Sequence, residues 1–295
     1  MNHQDMRQRI ATGEGFIAAL DQSGGSTPRA LKGYGIADGA WADEEEMFAL
    51  IHAMRERIIE SPCFGNGKVI GAILFERTMD GSSGGKSVPV RLAERGVVPF
   101  LKVDKGLEDE VDGVQPMKPN AGLEALCQRA RAKGVFGTKM RSVIKRANPA
   151  GIDTIVEQQF AEGRRILGTG LVPILEPEYD IHASDRGEGE RLLMDNILRH
   201  LDTLGAGEEV MLKLSIPAEA GLYAPLIAHP KVLRVVALSG GYSTDEACEK
   251  LAENPGMIAS FSRGLLQDLR HQQSDEEFDA ALGAAIDKIH AASVR

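Results

Sequence analysis

Eight short apolar runs, each bounded by glycine, proline or charged residues, recur along this sequence and limit the folds open to it. Most positions within each run are apolar, which is typical of strands buried on both faces of a sheet. The runs span residues 15–22, 69–77, 98–106, 134–142, 171–178, 210–217, 232–240 and 256–264. The sequence therefore predicts a set of buried strands.

Segments of helical period separate these runs. The clearest spans residues 43–60, where Met47, Ile51, Met54 and Ile58 recur at spacings of three and four. The other predicted helices span residues 121–133, 153–167, 191–204, 243–253 and 276–292. The helix that begins at Ser243 has acidic residues in its first turn, where the helix dipole favours them.

Strand followed by helix, repeated about eight times in 295 residues, predicts an α/β fold of the (β/α)8 TIM-barrel kind with a single domain over residues 1–295. A doubly wound open sheet is the competing layout. Its dinucleotide-binding form carries G-x-G-x-x-G after the first strand, a spacing that DQSGGS lacks. The segment DGSSGGK at 80–86 is predicted to be a flexible surface loop.

Composition excludes several classes of protein. A net charge of −9 argues against a nucleic-acid-binding surface, and no apolar stretch is long enough to span a bilayer. The N-terminal MNHQDMRQRI has no apolar signal core, and Cys63, Cys127 and Cys248 are too scattered for a disulfide framework. The histidines lack metal-ligand spacing. We therefore expect a cytoplasmic protein without a metal site. The oligomeric state is left open, a homo-oligomer included.

Polar and charged residues gather in the C-terminal halves of seven of the eight runs, where TIM barrels place their chemistry. They are Asp21, Lys102, Lys139, Arg141, Glu176, Glu178, Lys213, Ser239, Gly240, Gly241, Ser262 and Arg263. Side chains two apart on a strand share a face, so Lys139 and Arg141 are predicted to point together, as are Glu176 and Glu178. Each charge alone fits a solvated loop. The joint pattern favours an active site.

Lys213 stands inside the apolar run VMLKLSIP. A lysine is costly to bury, and a desolvated amine loses its proton more readily and can attack a ketone to form a Schiff base. The alternative is a lysine whose stem is buried at a strand end while its amine reaches solvent.

Two groups of residues are suited to binding phosphate. The seventh and eighth runs end in Ser239-Gly240-Gly241 and Ser262-Arg263, the positions where barrels often hold a phosphate. Ser23 and Ser26 follow the first run, and Lys102 is their candidate companion. Two anion sites around a lysine suggest a sugar bisphosphate with a carbonyl between the phosphates.

Seven motifs, LDQSGGS, LKVDKG, GTKMRS, VPILEPE, MLKLSIP, ALSGG and FSRGL, occur in this order over nearly the whole chain. Through these motifs the sequence resembles class I fructose-bisphosphate aldolases, which form a Schiff base with their substrate, and it most closely resembles the short bacterial form of this family. The resemblance implies reversible cleavage of fructose 1,6-bisphosphate to dihydroxyacetone phosphate and glyceraldehyde 3-phosphate in glycolysis and gluconeogenesis. It also implies that small sugar phosphates are the partners and that no metal or organic cofactor is needed.

The resemblance also implies residue roles. Lys213 matches the Schiff-base lysine, Glu176 the acid/base with Glu178 as its neighbour, Asp21 the carboxylate that takes the C4 hydroxyl proton, and Lys139 the lysine that stabilises developing charge. The remaining matches concern phosphates. They are Ser239, Gly240, Ser262 and Arg263 for the C1 phosphate, and Ser23, Ser26, Lys102 and Arg141 for the C6 phosphate.

Three departures from the longer animal enzymes are visible. Gln22 replaces a glutamate, Met140 replaces a tryptophan, and the sequence ends in Ala-Ser-Val-Arg where those enzymes carry a terminal tyrosine. Gln22 and Met140 are expected to touch none of the roles above. A transaldolase, a shorter-chain phosphate aldolase, and a barrel that binds phosphate only as a scaffold are the rival functions.

Overall fold

The computed structural model describes residues 1–295 and contains a barrel of eight parallel strands. The strands are β1 (Phe16–Leu20), β2 (Val69–Leu74), β3 (Val98–Lys102), β4 (Gly137–Ile144), β5 (Val172–Tyr179), β6 (Val210–Ser215), β7 (Val232–Leu238) and β8 (Met257–Ala259). Each strand pairs with its neighbour in chain order, and the backbone ladder is open only between β8 and β1. The predicted TIM barrel is confirmed and the open doubly wound sheet is excluded.

Helices alternate with the strands and cover the outside of the barrel. They are α1 (His3–Thr12), α2 (Ser26–Gly33), α3 (Glu44–Glu60), α4 (Glu76–Asp80), α5 (Val88–Glu94), α6 (Leu123–Ala132), α7 (Pro149–Leu167), α8 (Arg186–Leu201), α9 (Ala224–Ile227), α10 (Thr244–Ala252), α11 (Arg263–Leu266) and α12 (Asp275–Ser293), with a 3₁₀ turn at Pro62–Gly65. The helix predicted to begin at Ser243 is present as α10, and Ser243 is its N-cap, accepting a hydrogen bond from the Glu246 amide at 3.2 Å. No helix has both the length and the hydrophobicity needed to cross a membrane.

The inner face of the barrel changes character along its axis. Its N-terminal half is filled by an apolar cluster that includes Phe100, Ile174 and Met211, and α1 adds Met6 and Ile10 to this cluster from below. Because strand side chains alternate, the residue two positions further along shares the inner face. These residues are Lys102, Glu176 and Lys213. The same alternation that buries an apolar layer therefore presents charged groups at the C-terminal mouth.

Two expectations about local structure need correction. The segment predicted as a flexible loop at 80–86 contains an antiparallel hairpin of Ser82–Ser83 with Lys86–Ser87. Ser83 is buried there, and its hydroxyl donates to Glu60 at 2.6 Å, which anchors the hairpin to α3. The predicted strand 69–77 ends at Leu74, because Glu76 already begins α4.

Candidate active site

A buried chain of alternating charges lies at the barrel mouth. Lys213 Nζ is 3.0 Å from Glu176 Oε1, Lys139 Nζ is 2.9 Å from Glu176 Oε2, and the same Lys139 atom is 2.7 Å from Asp21 Oδ2. Lys213, Glu176 and Lys139 are only 3–4% exposed. The structure thus brings together four predicted residues from β4, β5, β6 and the end of β1.

The Glu176 carboxylate lies between two amines, with one oxygen near each. A carboxylate in this position is suited to exchanging a proton with a bound reactant.

The buried charges at the barrel mouth fix the protonation states of Asp21 and Lys139. Burial alone would raise the pKa of Asp21, but the positive charges of Lys139 and Lys213 outweigh it and hold that pKa well below its usual value. Burial alone would lower the pKa of Lys139, but the carboxylates of Asp21 and Glu176 outweigh it and raise that pKa above its usual value. Asp21 is therefore a carboxylate and Lys139 an ammonium throughout the physiological range.

A polar cavity of about 340 Å³ opens beside Asp21 and Lys139, and no apolar residue lines it. Its walls are formed by Asp21, Gln22, Ser23, Ser26, Lys102, Asp104, Gly106, Lys139, Arg141 and Ser262. All four residues predicted for the C6 phosphate are among them. Glu176 and Lys213 are not part of the wall.

The cations of this cavity are held by neighbouring acids. Lys102 Nζ is 2.6 Å from Asp104 Oδ1, so these two residues form an ion pair. Arg141 Nε donates to Glu178, and this carboxylate raises the pKa of Arg141 against the opposing effect of burial. Glu178 therefore contacts Arg141 and makes no ion pair with Lys213.

The serines predicted for the C6 phosphate form a turn after β1. The Ser23 amide donates to Ser26 Oγ at 2.9 Å, and that hydroxyl donates to the Ser23 carbonyl at 2.8 Å. Both residues are exposed or half-buried at the cavity wall. An anion entering the cavity would meet them there.

The loop after β7 and the residue after β8 also meet. Gly240 has a φ of +61° and Gly241 a φ of +137°, conformations that glycine adopts without strain. A Cβ on Gly241 would lie 3.9 Å from a guanidinium nitrogen of Arg263, so that side chain lies against this loop. Ser239 begins the loop and its carbonyl accepts from the Tyr242 amide at 3.0 Å. Ser262 differs from its predicted companions because it lines the polar cavity with Ser23 and Ser26.

Several residues of this site were absent from the sequence-based set. Asp104 is one, and its position two residues after Lys102 was the available signal. Arg186, in α8, is another. It donates to the Tyr242 hydroxyl at 2.8 Å and to the Ile216 carbonyl, and it pairs at 2.7 Å with the fully buried Glu190. It thereby ties the segment after β6 to the loop after β7, a link that no local motif reveals.

Gln22 corrects a further expectation. It was expected to touch none of the predicted roles, yet its Nε2 donates to the Ser262 hydroxyl at 2.6 Å across the opening between β1 and β8. The partners are 240 residues apart in sequence, which is why the motif alone did not show the contact. Met140 is buried in the apolar cluster outside the barrel.

Comparison with known proteins now adds to this geometry. A family model described as class-I fructose-bisphosphate aldolase, glycolytic, matches residues 3–187, well over half of the chain. The chain belongs to this family. The matched residues include Asp21, Lys139 and Glu176. Lys213, on β6 of this class I aldolase family member, lies beyond them.

Solved structures agree on the fold. The fructose-bisphosphate aldolase of Plasmodium falciparum, solved in complex with TRAP and a small-molecule inhibitor, superposes with a TM-score of 0.81 at 20% identity, covering 98% of this chain and 94% of that one. A structural-genomics protein of Corynebacterium glutamicum gives a TM-score of 0.50 at 15% identity, covering 98% and 92%. At these identities the likeness concerns the barrel and its connections.

Proposed function

We propose that this aldolase-family barrel reversibly cleaves fructose 1,6-bisphosphate to dihydroxyacetone phosphate and glyceraldehyde 3-phosphate through an imine on Lys213, as part of glycolysis and gluconeogenesis. The observation that carries the proposal is the Glu176 carboxylate between Lys213 and Lys139, at 3.0 and 2.9 Å. Imine formation requires an amine and a group that exchanges protons with it, and the fixed ammonium of Lys139 can stabilise negative charge during cleavage.

In the first step, Glu176, which lies 3.0 Å from the lysine nitrogen, takes a proton from Lys213, and the neutral amine attacks the C2 carbonyl. A second proton passes from the attached nitrogen to the former carbonyl oxygen and completes the carbinolamine. Glu176 then returns its proton to the carbinolamine hydroxyl, which leaves as water, and a protonated imine remains. This cation is the electron sink for the next step, so the proposed chemistry requires no metal ion.

In the second step, Asp21 takes the proton of the C4 hydroxyl. The electrons of the C3–C4 bond move toward the imine, glyceraldehyde 3-phosphate leaves, and an enamine remains on Lys213. The lowered pKa of Asp21 keeps it ionised and ready to accept this proton. Lys139 stays protonated beside both Asp21 and Glu176 and stabilises the negative charge that develops on the substrate oxygen. Protonation of the enamine at C3 and hydrolysis then release dihydroxyacetone phosphate.

The two phosphate groups of the substrate fit the two polar clusters. Ser23, Ser26, Lys102 and Arg141 line the cavity beside Asp21 and are proposed to bind the C6 phosphate. The C1 phosphate is proposed to lie where Arg263 meets the loop after β7, with these ligands: Ser239, Gly240, Gly241 and Arg263. Ser262, which lines the polar cavity, is proposed to bind the C6 phosphate with Ser23 and Ser26. The backbone amides of a glycine loop and a guanidinium are donors suited to a phosphate.

The proposal is tested by incubating the purified protein with fructose 1,6-bisphosphate and measuring triose phosphates by a coupled assay, with and without a chelator. We expect equal rates in both conditions. Fructose 1-phosphate tests the need for the second phosphate. Sedoheptulose 7-phosphate with an aldehyde acceptor tests transaldolase chemistry. Transfer from that donor without cleavage of fructose 1,6-bisphosphate would replace the proposal with the transaldolase alternative.

A further inference from the structure

Gln22 makes a side-chain bridge where the barrel has no backbone ladder. Its Nε2 donates to Ser262 Oγ at 2.6 Å and to the Ala19 carbonyl at 2.9 Å. The strands β8 and β1, which these residues follow, are the only neighbours without paired backbone. The amide of Gln22 is therefore the connection between Asp21, its chain neighbour, and Ser262 on the far side of the opening.

Arg55 determines which way this amide faces. Its guanidinium donates to the Gln22 carbonyl at 2.5 Å and to Gln22 Oε1 at 3.2 Å, and it donates to Thr78 Oγ1 at 2.8 Å. A guanidinium has no acceptor and a backbone carbonyl has no donor. The side-chain oxygen of Gln22 must therefore face Arg55, and its NH₂ group must face Ala19 and Ser262.

This orientation determines how Ser262 is used. Its hydroxyl oxygen accepts the Gln22 hydrogen bond, so its own hydrogen is not given to Gln22. Ser262 lines the polar cavity together with Ser23 and Lys102. Because the Ser262 oxygen accepts the hydrogen bond from Gln22, the hydroxyl hydrogen of Ser262 is free to be donated to an anion in the cavity.

We propose that Gln22 and Arg55 are positioning residues that make Ser262 a hydrogen-bond donor to a phosphate group in this cavity. That the phosphate belongs to a sugar bisphosphate rests on the function proposed above. The orientation of the amide and of the hydroxyl rests on the hydrogen bonds alone.

The charge of Arg55 gives the proposal a distinctive test. Arg55 is 1% exposed and has no carboxylate within 4 Å, and burial lowers its pKa to about 10 even though the charge of Asp21 acts to raise it. The Gln22→Glu variant supplies the missing carboxylate, which stabilises a buried cation. The same carboxylate can only accept a hydrogen bond, so it takes the Ser262 hydrogen away from the ligand. Stability and phosphate binding should therefore move in opposite directions.

The experiment measures the affinity for inorganic phosphate by calorimetric titration, together with the melting temperature, for the wild type, Gln22→Glu, Ser262→Ala and the double variant. We expect Gln22→Glu to melt no lower than the wild type and to bind phosphate about tenfold more weakly, the scale of one hydrogen bond to a charged group. The double variant should bind no more weakly than Ser262→Ala. In cleavage assays Gln22→Glu should raise KM and leave kcat within about threefold.

A second variant reaches the same conclusion without a new charge. Arg55→Leu removes the donor that fixes the orientation of the Gln22 side-chain amide, so the amide can rotate. This substitution should weaken phosphate binding when Ser262 is present and have no further effect in the Ser262→Ala background. Wild-type phosphate affinity in folded Gln22→Glu and Arg55→Leu would overturn the inference, as would a wild type that binds no phosphate at millimolar concentrations. A wild type that shows this dependence on Ser262 and yet does not cleave fructose 1,6-bisphosphate would overturn the proposed function and support the positioning roles.

Discussion

Lys213 and Glu176 face each other on adjacent strands, each one residue beyond the last paired positions, Leu212 and Leu175. Their Nζ and Oε1 atoms lie 3.0 Å apart in an environment that is almost fully buried. The parallel register of β5 and β6 therefore sets the amine opposite the carboxylate. The imine proposed on Lys213 would therefore form beside the carboxylate that is proposed to exchange its proton.

Replacement of Lys213 by arginine should abolish cleavage, by at least about a thousandfold, because a guanidinium stays protonated and cannot attack a carbonyl. The positive charge beside Glu176 is kept, so the loss would report chemistry and not charge balance. Rates of fructose 1,6-bisphosphate cleavage measure this. Lys32→Arg, at an exposed ion pair on α2, is the control and should cleave normally. Substantial residual activity in Lys213→Arg would remove Lys213 as the imine residue.

Asp21→Asn should block carbon–carbon cleavage by about two to four orders of magnitude, the usual contribution of a general base. Imine formation should persist, because Glu176 and Lys213 remain in place. Single-turnover cleavage and borohydride trapping with dihydroxyacetone phosphate separate the two steps. Asp38→Asn, in the exposed loop after α2, is the matched control. If Asp21→Asn cannot be trapped either, Asp21 has a structural role.

Acid should destabilise the wild type more than Asp21→Asn. The pKa of Asp21 is lower in the folded chain than in the unfolded one, because Lys139 and Lys213 outweigh the effect of burial. Between those two pKa values the unfolded chain binds more protons, so the free energy of unfolding falls as the pH drops from about 5 through the folded pKa. Denaturant titrations from about pH 6 to 3 should show about 1 kcal/mol of extra loss in the wild type, because pH 3 lies about one unit below the pKa of the unfolded carboxyl. Parallel curves would contradict the charge assignment.

Arg263→Ala should weaken binding of dihydroxyacetone phosphate by about ten- to a hundredfold, because Arg263 lies against the Gly240–Gly241 loop that is proposed to hold the C1 phosphate. Since the side chain is exposed, the fold should be unaffected. Competitive inhibition constants measure the effect. Arg270→Ala, an exposed arginine that bonds the Gln267 and Leu269 carbonyls, is the control. Unchanged affinity in Arg263→Ala would place the phosphate elsewhere.

The barrel and most of its charged mouth were predictable because both follow from local patterns. Alternation along a strand placed Lys213 on the same face as Met211, and the rule that barrel chemistry lies at strand C-termini placed Asp21 and Glu176 at one mouth. What escaped prediction depends on side chains that meet across long sequence distances. Arg55 bonds Gln22 from α3, and no periodicity within either segment encodes that contact.

The partners of individual charges were also beyond local patterns. Glu178 was predicted beside Glu176, and the two do share a strand, but the neighbouring β4 presents Arg141 to Glu178. Likewise, the glycines of 80–86 suggested a loop, whereas the buried Ser83 and its bond to Glu60 make a hairpin. In both cases the structure depends on tertiary contacts that the local sequence does not specify.

Borohydride reduction of the protein with dihydroxyacetone phosphate, in the presence and absence of a chelator and followed by peptide mass mapping, tests the imine on Lys213 directly. We expect a reduced adduct on Lys213, formed equally in both conditions and absent from Lys213→Arg. An adduct on another lysine would keep imine chemistry and displace its site. No adduct on the folded protein would contradict the central claim.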